Sequence, residues 1–272
     1  MADLVFKEPV VTVNWLKNHL SDENLVVLDG TINKEFDACL MQIPGARFFD
    51  IKNKFSLQGA PFPSTFPSAQ QFEQEAQALG INKNSAIVVY DDKGIYSSAR
   101  VWWLFKAFGH RNVAVLSGGF PSWKIASFST EPMKLYTGEK GYFKANLKPD
   151  AMKFFEDIKI ASKNKTHTIV DARSKERFNC EEPEPREGLR MGTIPNSVNL
   201  PFTNLIQDGE LKSKKEIKSM FLELVNKNEP IIFSCGSGIT ACVLALGAEL
   251  SGYSNISVYD GSWTEWGSLT ES

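Results

Sequence analysis

Pro230-Ile231-Ile232-Phe233-Ser234-Cys235-Gly236-Ser237-Gly238-Ile239-Thr240 runs from an apolar stretch through a turn of small residues into the Ala- and Leu-rich segment Ala241–Leu250. This reads as strand, tight loop, helix. The same reading applies to Ala86-Ile87-Val88-Val89-Tyr90-Asp91, which is followed by a helical pattern over 99–108. Working outward, Leu25-Val26-Val27-Leu28-Asp29 matches Thr168-Ile169-Val170-Asp171-Ala172-Arg173. Ile43-Pro44-Gly45-Ala46 matches Ile194-Pro195-Asn196-Ser197. Val115-Leu116-Ser117-Gly118-Gly119, with Trp123 after it, matches Val258-Tyr259-Asp260-Gly261-Ser262, with Trp266 after it. Apart from the Ile-Pro pair, the spacing between partners stays near 143 residues, so the chain is a duplication. Apolar strands alternating with helical patterns imply α/β halves, each a parallel sheet flanked by helices. The expected organisation is an N-terminal domain over 1–140, a linker over 141–150 and a C-terminal domain over 151–272. The linker lies in the Lys-, Gly- and Pro-rich stretch 130–150.

The halves differ in chemistry. Cys235 in the second occupies the place of Asp91 in the first, so only the C-terminal domain can use a thiol at this position. A sulfur at a strand end and helix start meets inward-pointing N–H groups, and such donors stabilise a thiolate, the nucleophilic form. The bland alternative is a buried core cysteine. Gly236, Ser237 and Gly238 directly behind the sulfur favour a reactive thiol. The second half also carries an insertion over 179–188, Asn-Cys-Glu-Glu-Pro-Glu-Pro-Arg-Glu-Gly, whose prolines favour a defined extended loop. An insertion found only beside the thiol is a candidate substrate lid.

Composition narrows the remaining classes. Lys plus Arg number 30 against 32 Asp plus Glu, so no overall charge points to nucleic acid or a membrane surface. No run reaches the roughly 18 apolar residues of a membrane helix, and the N-terminal segment has charges where a signal peptide needs an apolar core. Cys39, Cys180, Cys235 and Cys242 have neither disulfide-framework nor metal-ligand spacing, which predicts a reducing, cytoplasmic setting, no zinc and no cofactor. Cys242 falls inside the helix after Cys235 and is expected in the core.

The duplicated halves resemble the two-domain rhodanese sulfurtransferases over almost the whole chain. Tyr259-Asp260-Gly261-Ser262-Trp263-Thr264-Glu265-Trp266 is similar to the family's C-terminal signature, and Ile43-Pro44-Gly45-Ala46 to its N-terminal one, with Gln42 where a His is usual. Members acting on thiosulfate carry basic residues after the Cys, whereas the mercaptopyruvate branch carries Cys-Gly-Ser-Gly-Val-Thr. Here the loop reads Cys235-Gly236-Ser237-Gly238-Ile239-Thr240.

The resemblance implies that Cys235 accepts sulfur as a persulfide and that Ser237 assists catalysis. Gly236, Gly238, Ile239 and Thr240 would line the substrate, and Arg177 and Arg186 would hold the oxygens of a 2-oxo acid thiol. The planar guanidinium suits a carboxylate. A thioredoxin-like protein, a small dithiol or cyanide would take the sulfur. In the family's N-terminal segment an acid and a His are proposed to work with the loop Ser. Those positions read Lys52 and Ser64 here, so no relay of that kind is assigned. A cysteine phosphatase would need Arg at the sixth position after the Cys, where this chain has Ala241. A thiosulfate:cyanide sulfurtransferase and a non-enzymatic persulfide carrier are the remaining rivals. The structural alternative for each Arg is an ion pair with neighbouring Glu176, Glu184 or Glu187. Ser237 and Thr240 could equally serve as loop or helix-start caps. Asp171-Ala172-Arg173 reads as an ion-pair node, Trp102-Trp103 as packing, and Lys212-Ser213-Lys214-Lys215 as a solvated helix start.

Overall fold

The computed structural model describes residues 4–226 and 228–271. Two compact units are present. One comprises the chain up to Gly59, Phe66–Lys148 and Asp208–Leu211. The other comprises Ala60–Thr65, Pro149–Gln207 and the chain from Lys212. In the first unit the principal strands are β1 (Val10–Val11), β2 (Leu25–Asp29), β3 (Arg47–Phe48), β4 (Ala86–Tyr90) and β5 (Val113–Leu116). Its helices are α1 (Val13–His19), α2 (Ala69–Ala78), α3 (Ser98–Ala107) and α4 (Gly119–Ile125). In the second the strands are β6 (Met152–Lys153), β7 (Thr168–Asp171), β8 (Ser197–Asn199), β9 (Ile231–Ser234) and β10 (Ile256–Tyr259). Its helices are α5 (Phe155–Asn164), α6 (Lys175–Phe178), α7 (Lys214–Leu222), α8 (Ala241–Leu250) and α9 (Ser262–Leu269).

The two sheets share one topology. The first runs β1-β5-β4-β2-β3 and the second β6-β10-β9-β7-β8, and the strand pairs are parallel. The central strands β4 and β9 are buried along their whole length. That explains their uninterrupted apolar sequences, since a parallel strand covered on both faces has no polar side to present. Register places Asp29 beside Tyr90 and Asp171 beside Ser234, so each half sets a strand-end carboxylate next to the loop leaving its central strand.

Helix α8 is apolar on nearly every face and is buried from Ala241 to Ala248. At Gly247 an added Cβ would lie 2.5 Å from Leu205 Cδ2, so the glycine permits close helix packing. The basic stretch at Lys212–Lys215 begins a helix as expected. Ser213 caps α7 and Glu216 reciprocates, forming a capping box. Trp102 and Trp103 are buried in α3, and Cys242 is fully buried in α8.

Residues 141–148, read as linker, instead run as an extended strap on the first unit. Gly141 and Phe143 donate N–H groups to Gln77 and Ile81, and Asn146 and Lys148 donate to Phe108 and Ala107. One side chain anchors the strap further. Phe143 is 1% exposed and packs edge-on against Phe72 and Phe105, drawing the strap into the aromatic core. Among the described residues, no helix is long and apolar enough to cross a membrane.

Candidate active site

Cys235 follows the last residue of β9, at the carboxyl end of the central strand, where open α/β sheets place their ligands. The loop from Gly236 to Thr240 leads directly into α8. Gly238 has φ of 74°, a left-handed conformation that glycine adopts without strain. At Gly236 an added Cβ would lie 3.1 Å from Arg177 Nη2, so the missing side chain lets the guanidinium approach the loop backbone.

The start of α9 fastens this loop. Ser262 Oγ accepts the N–H groups of Cys235 and Gly238, both at 3.1 Å. Its own proton can point to the Tyr259 carbonyl at 2.9 Å or toward Cys235 Sγ at 3.9 Å. Trp263 N–H donates to the Cys235 carbonyl, and the Thr264 N–H and hydroxyl both donate to the Gly236 carbonyl. Ser262 accomplishes this from a positive φ of 51°, uncommon for a residue with a side chain. The signature around Asp260–Trp266 drew attention to this segment, but nothing in the sequence indicated that Ser262 and Thr264 hold the cysteine loop.

The loop's free donors are its most telling feature. In the first unit, Asp91 turns its carboxylate back into its own loop. It accepts N–H groups from Lys93 at 2.9 Å and from Tyr96 and Ser98 at 2.8 Å, with the Ser98 hydroxyl at 2.6 Å. At the matching positions of the second unit stand Ser237 and Thr240, whose N–H groups have no acceptor among the described residues. Two of the three N–H donors that hold Asp91 in the first unit thus have unpartnered counterparts among the described residues of the second, where the third, the Cys242 N–H, bonds the Ile239 carbonyl instead. Asp91→Ala is expected to destabilise the first unit by about 1–3 kcal/mol, because buried loop donors lose their acceptor. A shift of the urea unfolding midpoint at unchanged slope measures this.

Ser237 and Thr240 are half-buried, and among the described residues neither hydroxyl carries a hydrogen bond; Thr240 makes no side-chain cap to α8. Neither is therefore spent on the capping role that small polar residues often take at helix starts. Ile239 is buried at 4% exposure and Cys235 at 2%.

Arg177, on α6, reaches the loop but is not free. Its Nη2 pairs with Glu184 from the insertion, while its Nε is buried without a partner. Glu184 also binds Arg173, with Oε1 2.6 Å from Nη1, and Arg173 binds Asp171 at 2.8 Å. The expected node at Asp171–Arg173 therefore extends into a four-residue network. Burial works against the charge on Arg173, and the carboxylates of Asp171 and Glu184 outweigh it, holding the guanidinium charged above its ordinary range. The Arg173 guanidinium also lies 4.8 Å over the Trp263 ring. Arg186, by contrast, is exposed, and its guanidinium makes no hydrogen bond or ion pair among the described residues. Cys235, Gly236, Ser237, Gly238, Ile239, Thr240 and Arg177 are thus brought together, and no contact ties Arg186 to them.

The rhodanese-like domain family matches this chain twice, over residues 12–126 and 156–269. The chain belongs to the rhodanese family. Both matched segments fall on the duplicated sheets, and the rhodanese fold accounts for the shared strand order. The chain is 40% identical to the 3-mercaptopyruvate sulfurtransferase of Mus musculus, covering 94% of this chain and 91% of the relative. It is 36% identical to the thiosulfate sulfurtransferase of Bos taurus, covering 98% of this chain and 94% of the relative. Among solved structures it resembles the crystal structure of the 3-mercaptopyruvate sulfotransferase SseA from Escherichia coli. That match has a TM-score of 0.83 at 33% identity and covers 94% of this chain and 99% of the other.

Proposed function

We propose that this chain is a sulfurtransferase that takes sulfur from 3-mercaptopyruvate as a persulfide on Cys235 and passes it to a thiol or cyanide acceptor. The observation that carries the reading is the unfilled anion turn behind Cys235. Among the described residues the N–H groups of Ser237 and Thr240 lack acceptors, while their counterparts in the first unit hold the carboxylate of Asp91. A thiolate or persulfide sulfur supplies the negative charge such a turn is built to hold.

The chemistry follows from that cradle. The Cys235 thiolate attacks the thiol sulfur of 3-mercaptopyruvate and forms a sulfur–sulfur bond. The carbon–sulfur bond breaks, and its electron pair becomes the enolate of pyruvate. Protonation of the enolate at carbon releases pyruvate, and loss of the proton carried by the transferred sulfur leaves the anionic persulfide in the turn. An acceptor thiolate or cyanide then attacks the outer sulfur and restores the Cys235 thiolate. Arg177 stands beside the loop with its side chain partly exposed, and its guanidinium would hold an oxygen of the substrate. Arg186, exposed on the same insertion that supplies Glu184, is the second cation for the oxygens. The acceptor is proposed to be a thioredoxin-like protein or a small dithiol.

The loop has no side-chain cation between Cys235 and Ala241, so it offers a thiosulfate dianion backbone and hydroxyl donors but no counter-charge. Turnover with 3-mercaptopyruvate is therefore expected to exceed turnover with thiosulfate when both are assayed with cyanide. Equal or greater use of thiosulfate would assign the site to thiosulfate:cyanide transfer. Inactivity with both donors would leave Cys235 as a persulfide carrier loaded by another protein.

A further inference from the structure

The polar network beside the cysteine loop is electrically closed. The side chains of Asp171, Arg173 and Glu184 are 1%, 0% and 2% exposed, and that of Arg177 is 22% exposed. Two carboxylates face two guanidiniums, and the Glu184 oxygens are divided between them, Oε1 to Arg173 and Oε2 to Arg177. Arg177 is the outermost member, and Glu184 gives it its ion pair within the network. Pro183 and Pro185 flank Glu184 and restrict the backbone that delivers its carboxylate. On the inner side, Arg173 stacks on the Trp263 ring, and the backbone N–H of Trp263 holds the Cys235 carbonyl.

We propose that Glu184 is a positioning residue for the sulfur donor: it fixes the Arg177 guanidinium against Gly236, so the cation meets the donor's oxygens already oriented. The proposal rests on the reading of Arg177 as a holder of those oxygens. Glu184 touches neither donor nor sulfur and acts through Arg177. Without its charge, two guanidiniums share the single carboxylate of Asp171, which binds Arg173. The excess positive charge in a buried site drives the more exposed Arg177 toward solvent. A guanidinium that must be re-oriented on each binding event weakens donor capture, whereas the thiolate and its cradle are untouched.

The test is a double-mutant cycle of Glu184→Gln with Arg177→Ala, read as KM and kcat for 3-mercaptopyruvate and as the rate of Cys235 alkylation by iodoacetamide. Glu184→Gln is expected to raise KM by about tenfold while kcat stays within about twofold, and the alkylation rate is expected to be unchanged. In the Arg177→Ala background, Glu184→Gln is expected to add nothing further. Multiplicative effects of the two substitutions would overturn the positioning role and leave Arg177's own role standing. A common fall in kcat, affinity and alkylation rate would also overturn it, since a general loosening of the unit produces that pattern. An unchanged KM in Arg177→Ala alone would remove the reading of Arg177 and this proposal with it. If Glu184→Gln does not fold, Glu184→Asp takes its place in the cycle, because it keeps the charge beside Arg173 but is one methylene short of bridging to Arg177.

Discussion

Cys235→Ser is expected to lower sulfur transfer by about a thousandfold or more, with either donor, while leaving the fold intact. Serine fits the site, because it is close to cysteine in size and the backbone N–H and carbonyl of residue 235 carry the anchoring bonds to Ser262 and Trp263. What is lost is the sulfur itself. A serine hydroxyl at neutral pH is neither an anionic nucleophile nor able to carry a persulfide. Thermal unfolding of Cys235→Ser close to wild type, with activity abolished, is the expected pair of results. Retention of more than a few per cent of activity would place the transferring thiol elsewhere, and Cys180 and Cys39 are the exposed candidates.

Arg173→Leu carries the largest expected effect on stability. Asp171 and Glu184 both depend on this guanidinium, and both are almost completely buried. Removing the cation leaves two carboxylates without it in a poorly hydrated site, a change that costs about 3–5 kcal/mol. The leucine recovers part of the packing over Trp263 but none of the charge pairing. Because the chain has two compact units, the loss should appear as an earlier unfolding transition of the second unit alone. Urea denaturation of the variant beside wild type measures it, and a change below about 1 kcal/mol would mean that the network contributes little beyond its own desolvation cost. The activity of Arg173→Leu should fall as well, since Glu184 then holds Arg177 without its own anchor.

The fold was legible because duplication makes each half a check on the other. The apolar runs at Leu25–Asp29 and Thr168–Asp171, and again at Ala86–Tyr90 and Ile231–Ser234, became the inner strands of two identical sheets. The glycines and small residues behind Cys235 marked the loop for the same reason: local backbone demands leave local residue signatures. The strap at 141–148 is not legible from composition, because the Lys-, Gly- and Pro-rich stretch 130–150 around it reads as linker, while the buried Phe143 and four backbone hydrogen bonds hold the strap to the first unit. Features built across long sequence separations were not legible either. Ser262 bonds loop atoms 24 and 27 residues away, and only the coordinates show which of several small polar residues does so. Glu184 was read as one of three possible ion-pair partners for the arginines. The structure selects it over Glu176 and Glu187 because burial between Arg173 and Arg177 satisfies both of its oxygens.

The proposed sulfur transfer requires a persulfide at Cys235. Wild-type protein mixed with a slight excess of 3-mercaptopyruvate and no acceptor should release one equivalent of pyruvate per chain. It should hold one additional sulfur atom on the Cys235 peptide by mass spectrometry, discharged on adding cyanide or a dithiol. Pyruvate release with no added sulfur on Cys235, or with the sulfur on Cys180 or Cys39, would contradict it.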